Sequence, residues 1–286
     1  MIKKAIIPAG GFGTRNLPVT KVIPKEMFPV GSKPVIHYLV EELKESGIED
    51  ILMVVSSYKN LIVDYFDSSL ALEAFLASKN KLHLLSEHPI PDIRIHYVRQ
   101  PYAKGLGDAI SFGKQFAGKE PFAVVLPDDL IFSANQPALG QLIEAYTKYQ
   151  SSVIGLKETK TEDLHHYGVI KGEPVEKGLY RIQDIVEKPK QNPPSHFAAA
   201  GRYIFTPDIF NELEALEADS GGEVQVTDAI KASLGACTVY GKLLEGERYD
   251  IGLQKDYLKL IYDMLKTEKN PNNRGFNQRG DRRMWS

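Results

Sequence analysis

The stretch AIIPAGGFGTR, residues 5–15, decides how the chain is read. An apolar run ends at Pro8, three glycines follow at positions 10, 11 and 13, and the stretch closes on the cation Arg15. A short continuous apolar run is how a strand covered on both faces reads. A loop almost free of side chains beside an arginine suits a large anion, because glycines let backbone N–H groups point at phosphate oxygens with no Cβ in the way. A tight structural turn is the alternative. The dinucleotide fingerprint G-x-G-x-x-G would need a third glycine where Asn16 stands, and Pro18 and Pro24 interrupt any helix after it. The Walker loop with its G-K-[ST] ending is absent. What remains is a glycine loop followed by Arg15, Lys21 and Lys25: one planar fork and two movable point charges for phosphate.

Working outward, residues 51–55, 95–98, 122–126 and 153–156 repeat the buried-strand pattern of residues 5–8. Helical patterns lie between them, over residues 35–47 (ending at Gly47), 106–116 and 139–149. Alternating strands and helices predict an α/β fold, Rossmann-like, with a mostly parallel central sheet flanked by helices. After about residue 160 the rhythm changes. Residues 168–170, 179–187, 198–205 and 237–244 read as strands with shorter connections, a small β-rich extension of the same sheet. Thr206-Pro207 reads as a helix start, with the threonine as N-cap and the proline in the first turn. Residues 253–265 read as an amphipathic helix with Tyr257, Leu258, Ile261, Tyr262 and Leu265 on one stripe, facing either its own core or another subunit. The domain expected is residues 1–266: a nucleotide-binding half to about 160, a second half over 161–250 and the closing helix. A polar, basic tail, 267–286, follows.

The 286 residues leave ample chain for a large core. A net charge of -2 argues against a nucleic-acid or membrane-surface binder while leaving room for a local basic pocket. The single cysteine, Cys237, excludes an intramolecular disulfide and a Cys-rich zinc site, which points to a reducing compartment. Cys237 is expected to pack in an apolar strand. No run is long enough for a signal-peptide core or a membrane span, so the cytoplasm is the expected location. His165 and His166 are adjacent and poorly spaced for joint metal ligation, and no Ser/His/Asp arrangement is recognisable.

Two further segments carry chemistry. In VRQPYAKGLGDA, residues 98–109, the amide of Gln100 donates and accepts at once, which suits the edge of a uracil. Gly105 and Gly107 allow close backbone approach, and Asp108 is placed to cap a helix. A solvated loop glutamine is the alternative. In AVVLPDDL, residues 123–130, two carboxylates stand where a buried strand emerges. Adjacent acids repel unless a cation or solvent relieves them, and a hard cation such as Mg²⁺ takes one or two protein carboxylates and completes its shell with water and phosphate. An ordinary Asp-rich turn is the alternative.

The motifs G-x-G-T-R at 11–15, P-K-E-M at 24–27 and K-P at 33–34 resemble those of the sugar-1-phosphate nucleotidylyltransferases. Within them, PAGGFGTR with LPVTKVIPKEMFPV is similar to the bacterial uridylyltransferases that use UTP and glucose 1-phosphate. The resemblance runs from Lys3 to about Leu265. It implies a glycosyltransferase A-like fold, Mg²⁺ as cofactor, UTP and glucose 1-phosphate as substrates and a homodimer or homotetramer. It also implies site residues. Ala9, Gly10, Gly11, Gly13 and Thr14 line the nucleotide, and Arg15 and Lys25 hold its phosphates. Gln100 reads the base while Gly105 packs against the nucleoside. Asp128 and Asp250, the latter in a D-x-G element, hold the metal, with Asp129 behind them. Gly168, Glu187 and Gly201 surround the sugar, and Lys188 pairs with its phosphate. Glu223 either lines the site or caps a helix, and Arg202 is left as structural. A thymidylyltransferase acting on the same sugar phosphate is the rival, since thymine also satisfies Gln100, and a non-catalytic nucleotide-sugar sensor is a third reading.

Overall fold

The computed structural model describes residues 1–86 and 89–268. Strand β1 (Lys4–Ala9) leads into the glycine loop, three single turns of 3-10 helix and a ribbon of β2 (Pro29–Val30) with β3 (Lys33–Pro34). Helix α1 (Val35–Glu45) returns the chain to β4 (Asp50–Val55). Helices α2 (Asn60–Phe66), α3 (Leu70–Ser78) and α4 (His83–Ser86) precede β5 (Arg94–Arg99), and α5 (Leu106–Ser111) with α6 (Lys114–Ala117) precede β6 (Phe122–Val125). The second half runs β7 (Asp129–Phe132), α7 (Ala138–Tyr149), β8 (Ser152–Glu158), β9 (Gly168–Glu176), β10 (Leu179–Glu187) and β11 (Phe197–Phe205). It closes with α8 (Ile209–Ala215), α9 (Val226–Ser233), β12 (Val239–Leu243), β13 (Glu247–Asp250) and α10 (Gln254–Glu268).

Nine strands form one sheet in the order β5-β4-β1-β6-β11-β8-β12-β10-β9. The half built from β5, β4, β1 and β6 is parallel, as its continuous apolar runs predict. Beyond it β11 enters antiparallel to both β6 and β8, and the sheet becomes mixed. Successive side chains of a strand face opposite ways, so β1 feeds two cores. Ala5, Ile7 and Ala9 pack with α1, α7 and α10 on one face, while Ile6 packs with α5, α8 and α9 on the other.

Several local expectations need correction. The helix predicted over residues 106–116 is two helices, α5 and α6. A Cβ on Gly113 would fall 2.1 Å from Cδ1 of Ile6, so the chain breaks where it presses on β1. Thr206 caps no helix. Its backbone N–H bonds the Ser152 hydroxyl at 3.1 Å and α8 starts at Ile209 instead. Cys237 is exposed and precedes β12 rather than packing inside it. On α10 the core seam is Tyr257, Leu260, Ile261 and Met264, the i, i+3, i+4, i+7 rows of one face; Leu258, Tyr262 and Leu265 lie exposed. The predicted tail, beyond the end of α10, lies outside the described residues. Among the described residues no helix is long and apolar enough to cross a membrane.

Candidate active site

Every strand of the parallel half delivers its carboxyl end to one edge of the sheet, where ligands of such folds bind. Beyond β1, Gly10, Gly11, Gly13 and Thr14 line a cavity of about 340 Å³, with Ala9 buried just behind them. Gly13 takes a left-handed conformation at φ 67°, and its carbonyl accepts from the Thr20 hydroxyl at 2.8 Å. Gln100, at the end of β5, lines the same cavity and is buried. Its Nε2 donates to Asp108 at 2.6 Å and to the Gly105 carbonyl at 3.4 Å. Its Oε1 is left facing Gly10, where a Cβ would stand only 2.5 Å away. Asp108 therefore caps no helix; it fixes which way the Gln100 amide points. Gly105 (φ 94°) and Gly107 let their turn press on the 223–224 segment, with Gly107 N–H donating to the Val224 carbonyl at 2.8 Å.

The acids meet because β7 and β13 pair. Asp250 stands opposite Asp129 in that antiparallel ribbon, and the Ile251 N–H donates to the Asp128 carbonyl at 2.8 Å. A single point, where a Cβ on Gly252 would sit, lies 2.9 Å from Oδ1 of Asp250, 3.5 Å from Oδ2 of Asp128 and 3.8 Å from Nη1 of Arg15. Each acid has a different partner. Lys25 Nζ lies 2.5 Å from Asp128. Burial pushes the Asp128 carboxyl up, but Lys25 outweighs it and holds the group below its ordinary range. Asp129 is bound on both oxygens by Arg248, at 2.7 and 2.9 Å, and is thereby committed. Asp250 accepts from the Tyr167 hydroxyl at 2.9 Å and from the Gly252 N–H at 2.9 Å. Burial, then Asp129 and Asp128, push its carboxyl up to about 7.

A second cavity, of about 240 Å³, adjoins the first and shares Asp128, Leu106, Leu126 and Glu223 with it. Gly168, Glu187, Lys188 and Arg15 line this side. Glu187 accepts from the Thr227 hydroxyl at 3.1 Å and pairs with Lys188 at 3.0 Å. Lys188 holds a left-handed φ of 44°, a conformation that costs a non-glycine residue of order 1–3 kcal/mol and clusters at ligand sites. Gly168 has no room for a side chain: a Cβ would sit 2.7 Å from Cγ2 of Thr227. Glu223 caps no helix and takes a hydrogen bond from Gln225 at 3.1 Å.

Two placements differ from expectation. Gly201 lines neither cavity; it sits at φ 62° in the irregular middle of β11, where a Cβ would meet Oδ2 of Asp129 at 2.5 Å. It makes room for the Asp129 carboxylate. Arg15 lines the second cavity and not the glycine-lined one. Arg202 is fully buried, bound to Glu42 at 2.9 and 2.8 Å and to the Asp129 carbonyl at 2.8 Å, a structural role as expected. Arg248 escaped the sequence reading altogether. The signal was there: in ERYD, Arg248 and Asp250 are two apart on one strand and so share a face.

The sequence profile described as "Nucleotidyl transferase" matches residues 4–267. The chain belongs to the nucleotidyl transferase family. Among its relatives, this nucleotidyl transferase is 99% identical over 271 residues to a provisionally named UTP–glucose-1-phosphate uridylyltransferase of Bacillus subtilis (strain 168), covering 95% of this chain and 100% of that one. It is 47% identical over 261 residues to a UTP–glucose-1-phosphate uridylyltransferase of Staphylococcus epidermidis (strain RP62A), covering 90% of each. The transferase also matches a UDP-glucose pyrophosphorylase solved in complex with UDP-glucose, with a TM-score of 0.83, 42% identity and 93% and 100% of the two chains covered. The expected α/β fold and nucleotidyltransferase class are borne out.

Proposed function

We propose that the protein transfers a uridylyl group from UTP to α-D-glucose 1-phosphate, giving UDP-glucose and pyrophosphate. The observation that carries this reading is the pair of adjoining cavities joined at Asp128: one is glycine-lined and ends at Gln100, the other holds Glu187 and Lys188. The uridylyltransferases and the UDP-glucose complex to which the chain is similar support it.

The chemistry asks little of a base. A sugar phosphate oxygen is already anionic at neutral pH. It attacks the α-phosphorus in line, the new O–P bond forms as the bond to the β-phosphate oxygen breaks, and pyrophosphate leaves with the electron pair. The difficulty is bringing two polyanions together, so the site must supply positive charge and alignment. Lys25 and the N–H groups of the glycine loop hold the triphosphate. Arg15, beside the point between the two acids, faces it from the other cavity. Lys188 grips the incoming phosphate while Glu187 accepts from sugar hydroxyls. Gln100 presents its Oε1 to the uracil N3–H, because Asp108 and the Gly105 carbonyl occupy its two N–H donors.

The residues fit a divalent cation. Asp129 is neutralised by Arg248, whereas Asp250 makes no ion pair among the described residues, burial and its acidic neighbours push its carboxyl up to about 7, and the cradle between it and Asp128 is one a Cβ would fill. Asp128 and Asp250 would hold Mg²⁺. Among the described residues no group of three or more His, Cys, Asp or Glu is placed for a metal, consistent with a hard cation that completes its shell with water and phosphate. When bound, the ion supplies charge neutralisation where the two phosphates crowd. Side-by-side assays of pyrophosphate release with UTP and dTTP, each with glucose 1-phosphate, test the reading. Turnover with UTP is expected to dominate. Faster turnover with dTTP establishes the thymidylyltransferase instead, and no release with either leaves a nucleotide-sugar binder.

A further inference from the structure

Tyr167 touches the cation cradle, the Arg248–Asp129 pair and the turn of Lys188. Its hydroxyl donates to Oδ2 of Asp250 at 2.9 Å. The Arg248 guanidinium, bound on both sides to Asp129, lies 4.3 Å from the centre of its ring. Its carbonyl accepts the backbone N–H of Lys188 at 3.0 Å, at the strained φ of that residue.

We infer that Tyr167 is a positioning residue: its hydroxyl aims the Asp250 carboxylate at the cation it shares with Asp128. The inference rests on the metal reading above. A carboxylate with one oxygen on the Gly252 N–H still swings about its Cβ–Cγ bond; a donor on the second oxygen fixes the plane of the group. A tyrosine hydroxyl is protonated at neutral pH and so remains a donor. Partners that orient a ligating carboxylate in this way typically tune metal affinity by 10–100-fold. The cation stacked on the ring face keeps the tyrosine in place, independently of the hydroxyl.

That independence makes the test clean, since Tyr167→Phe keeps the stacked ring and loses only the donor. Mn²⁺ affinity of the full-length protein, with UTP bound, is read by electron paramagnetic resonance alongside the thermal midpoint. Tyr167→Phe is expected to weaken Mn²⁺ by roughly tenfold. Its turnover should recover at high metal, and its KM for glucose 1-phosphate should stay near wild type. Tyr167→His, which keeps a donor on a flat ring, is expected to bind Mn²⁺ more tightly than the phenylalanine variant. If the phenylalanine variant does not fold, Tyr167→Met is the donor-free substitute. Unchanged Mn²⁺ affinity in the donor-free variant, with Asp250→Asn weakened, overturns the inference and leaves the metal reading standing. Unchanged affinity in Asp250→Asn overturns both. Loss of activity that added metal does not restore makes Tyr167 a packing residue and overturns the inference alone.

Discussion

Asp250 pairs with Asp129 across the β7–β13 ribbon, and this one register brings it beside Asp128, which strand β7 follows directly. Had the pairing slipped by a residue, Asp250 would face the opposite side of the ribbon. The register therefore matters to the site as much as the residues do. Of the three aspartates, Asp128 is the one that lines both cavities. Asp128→Asn is expected to lose on the order of 10²–10³ of turnover, the usual effect of removing one group that stabilises charge in the transition state. Its thermal midpoint is expected to fall, since Lys25 outweighs burial at this carboxyl and the variant leaves that buried cation without its partner. Pyrophosphate release under saturating UTP, glucose 1-phosphate and Mg²⁺ measures the first, and calorimetry the second. Near-full activity would show that Asp128 holds no essential cation.

Gly252 is the second handle on the same cradle. Its backbone needs no left-handed conformation, so alanine is tolerated by the chain, but the added methyl would sit 2.9 Å from Asp250 and 3.5 Å from Asp128. Gly252→Ala is expected to fold normally and to lose metal-dependent turnover on the order of 10²-fold. Chelation with EDTA should abolish wild-type turnover and have little further effect on this variant. A Gly252→Ala protein with a wild-type Mg²⁺ titration curve would place the ion elsewhere.

Beneath the site, Arg202 and Glu42 form a fully buried, doubly hydrogen-bonded ion pair. Breaking such a pair by removing one partner leaves an uncompensated buried charge and typically costs about 3–5 kcal/mol. Arg202→Met is expected to lose that much in urea unfolding, because Glu42 loses both bonds to the guanidinium while keeping the one from the Leu139 N–H at 3.0 Å. Substituting both partners with apolar residues should recover part of the loss. A single variant as stable as wild type would mean that the core relaxes to let water reach Glu42.

How much of this could be seen in the sequence follows from what each signal encodes. The parallel half of the sheet was legible because strands covered on both faces are continuously apolar, as in residues 51–55. The glycine loop stood out because glycines at 10, 11 and 13 leave its backbone open beside two cations, and in the structure it lines a cavity. Asp250 was placed only through its D-x-G likeness; nothing local in the chain announces that β13 pairs with β7. The surroundings of Gly201 were hidden for the same reason. A glycine in a strand reports a close approach, but only the fold says that the approaching atom is Oδ2 of Asp129. Arg248 was overlooked because an arginine before an acid reads as a solvated pair, whereas here it is mostly covered and bound to the buried Asp129. The α10 stripe was misread by a single position, since Leu260 and Leu258 look alike until the neighbouring helix and strand decide which faces inward.

The sharpest prediction concerns the base. Gln100 offers a lone acceptor chiefly because Asp108 takes its Nε2 at 2.6 Å, the bond to the Gly105 carbonyl being long at 3.4 Å. A glutamine amide is free to turn over when nothing distinguishes its two ends. With the carboxylate removed, the group can present N–H to the cavity as readily as C=O. Wild-type protein should therefore reject CTP, whose N3 is an acceptor and would meet Oε1 lone pair to lone pair. Asp108→Ala is expected to lower the ratio of kcat/KM for UTP over CTP by roughly 10-fold or more, the cost of about 1.4 kcal/mol in discrimination. The mechanism predicts that the change comes partly as a gain for CTP, not solely as a loss for UTP. Steady-state assays with both nucleotides separate the two. If UTP and CTP fall in parallel, Asp108 supports the loop without setting the direction of the amide.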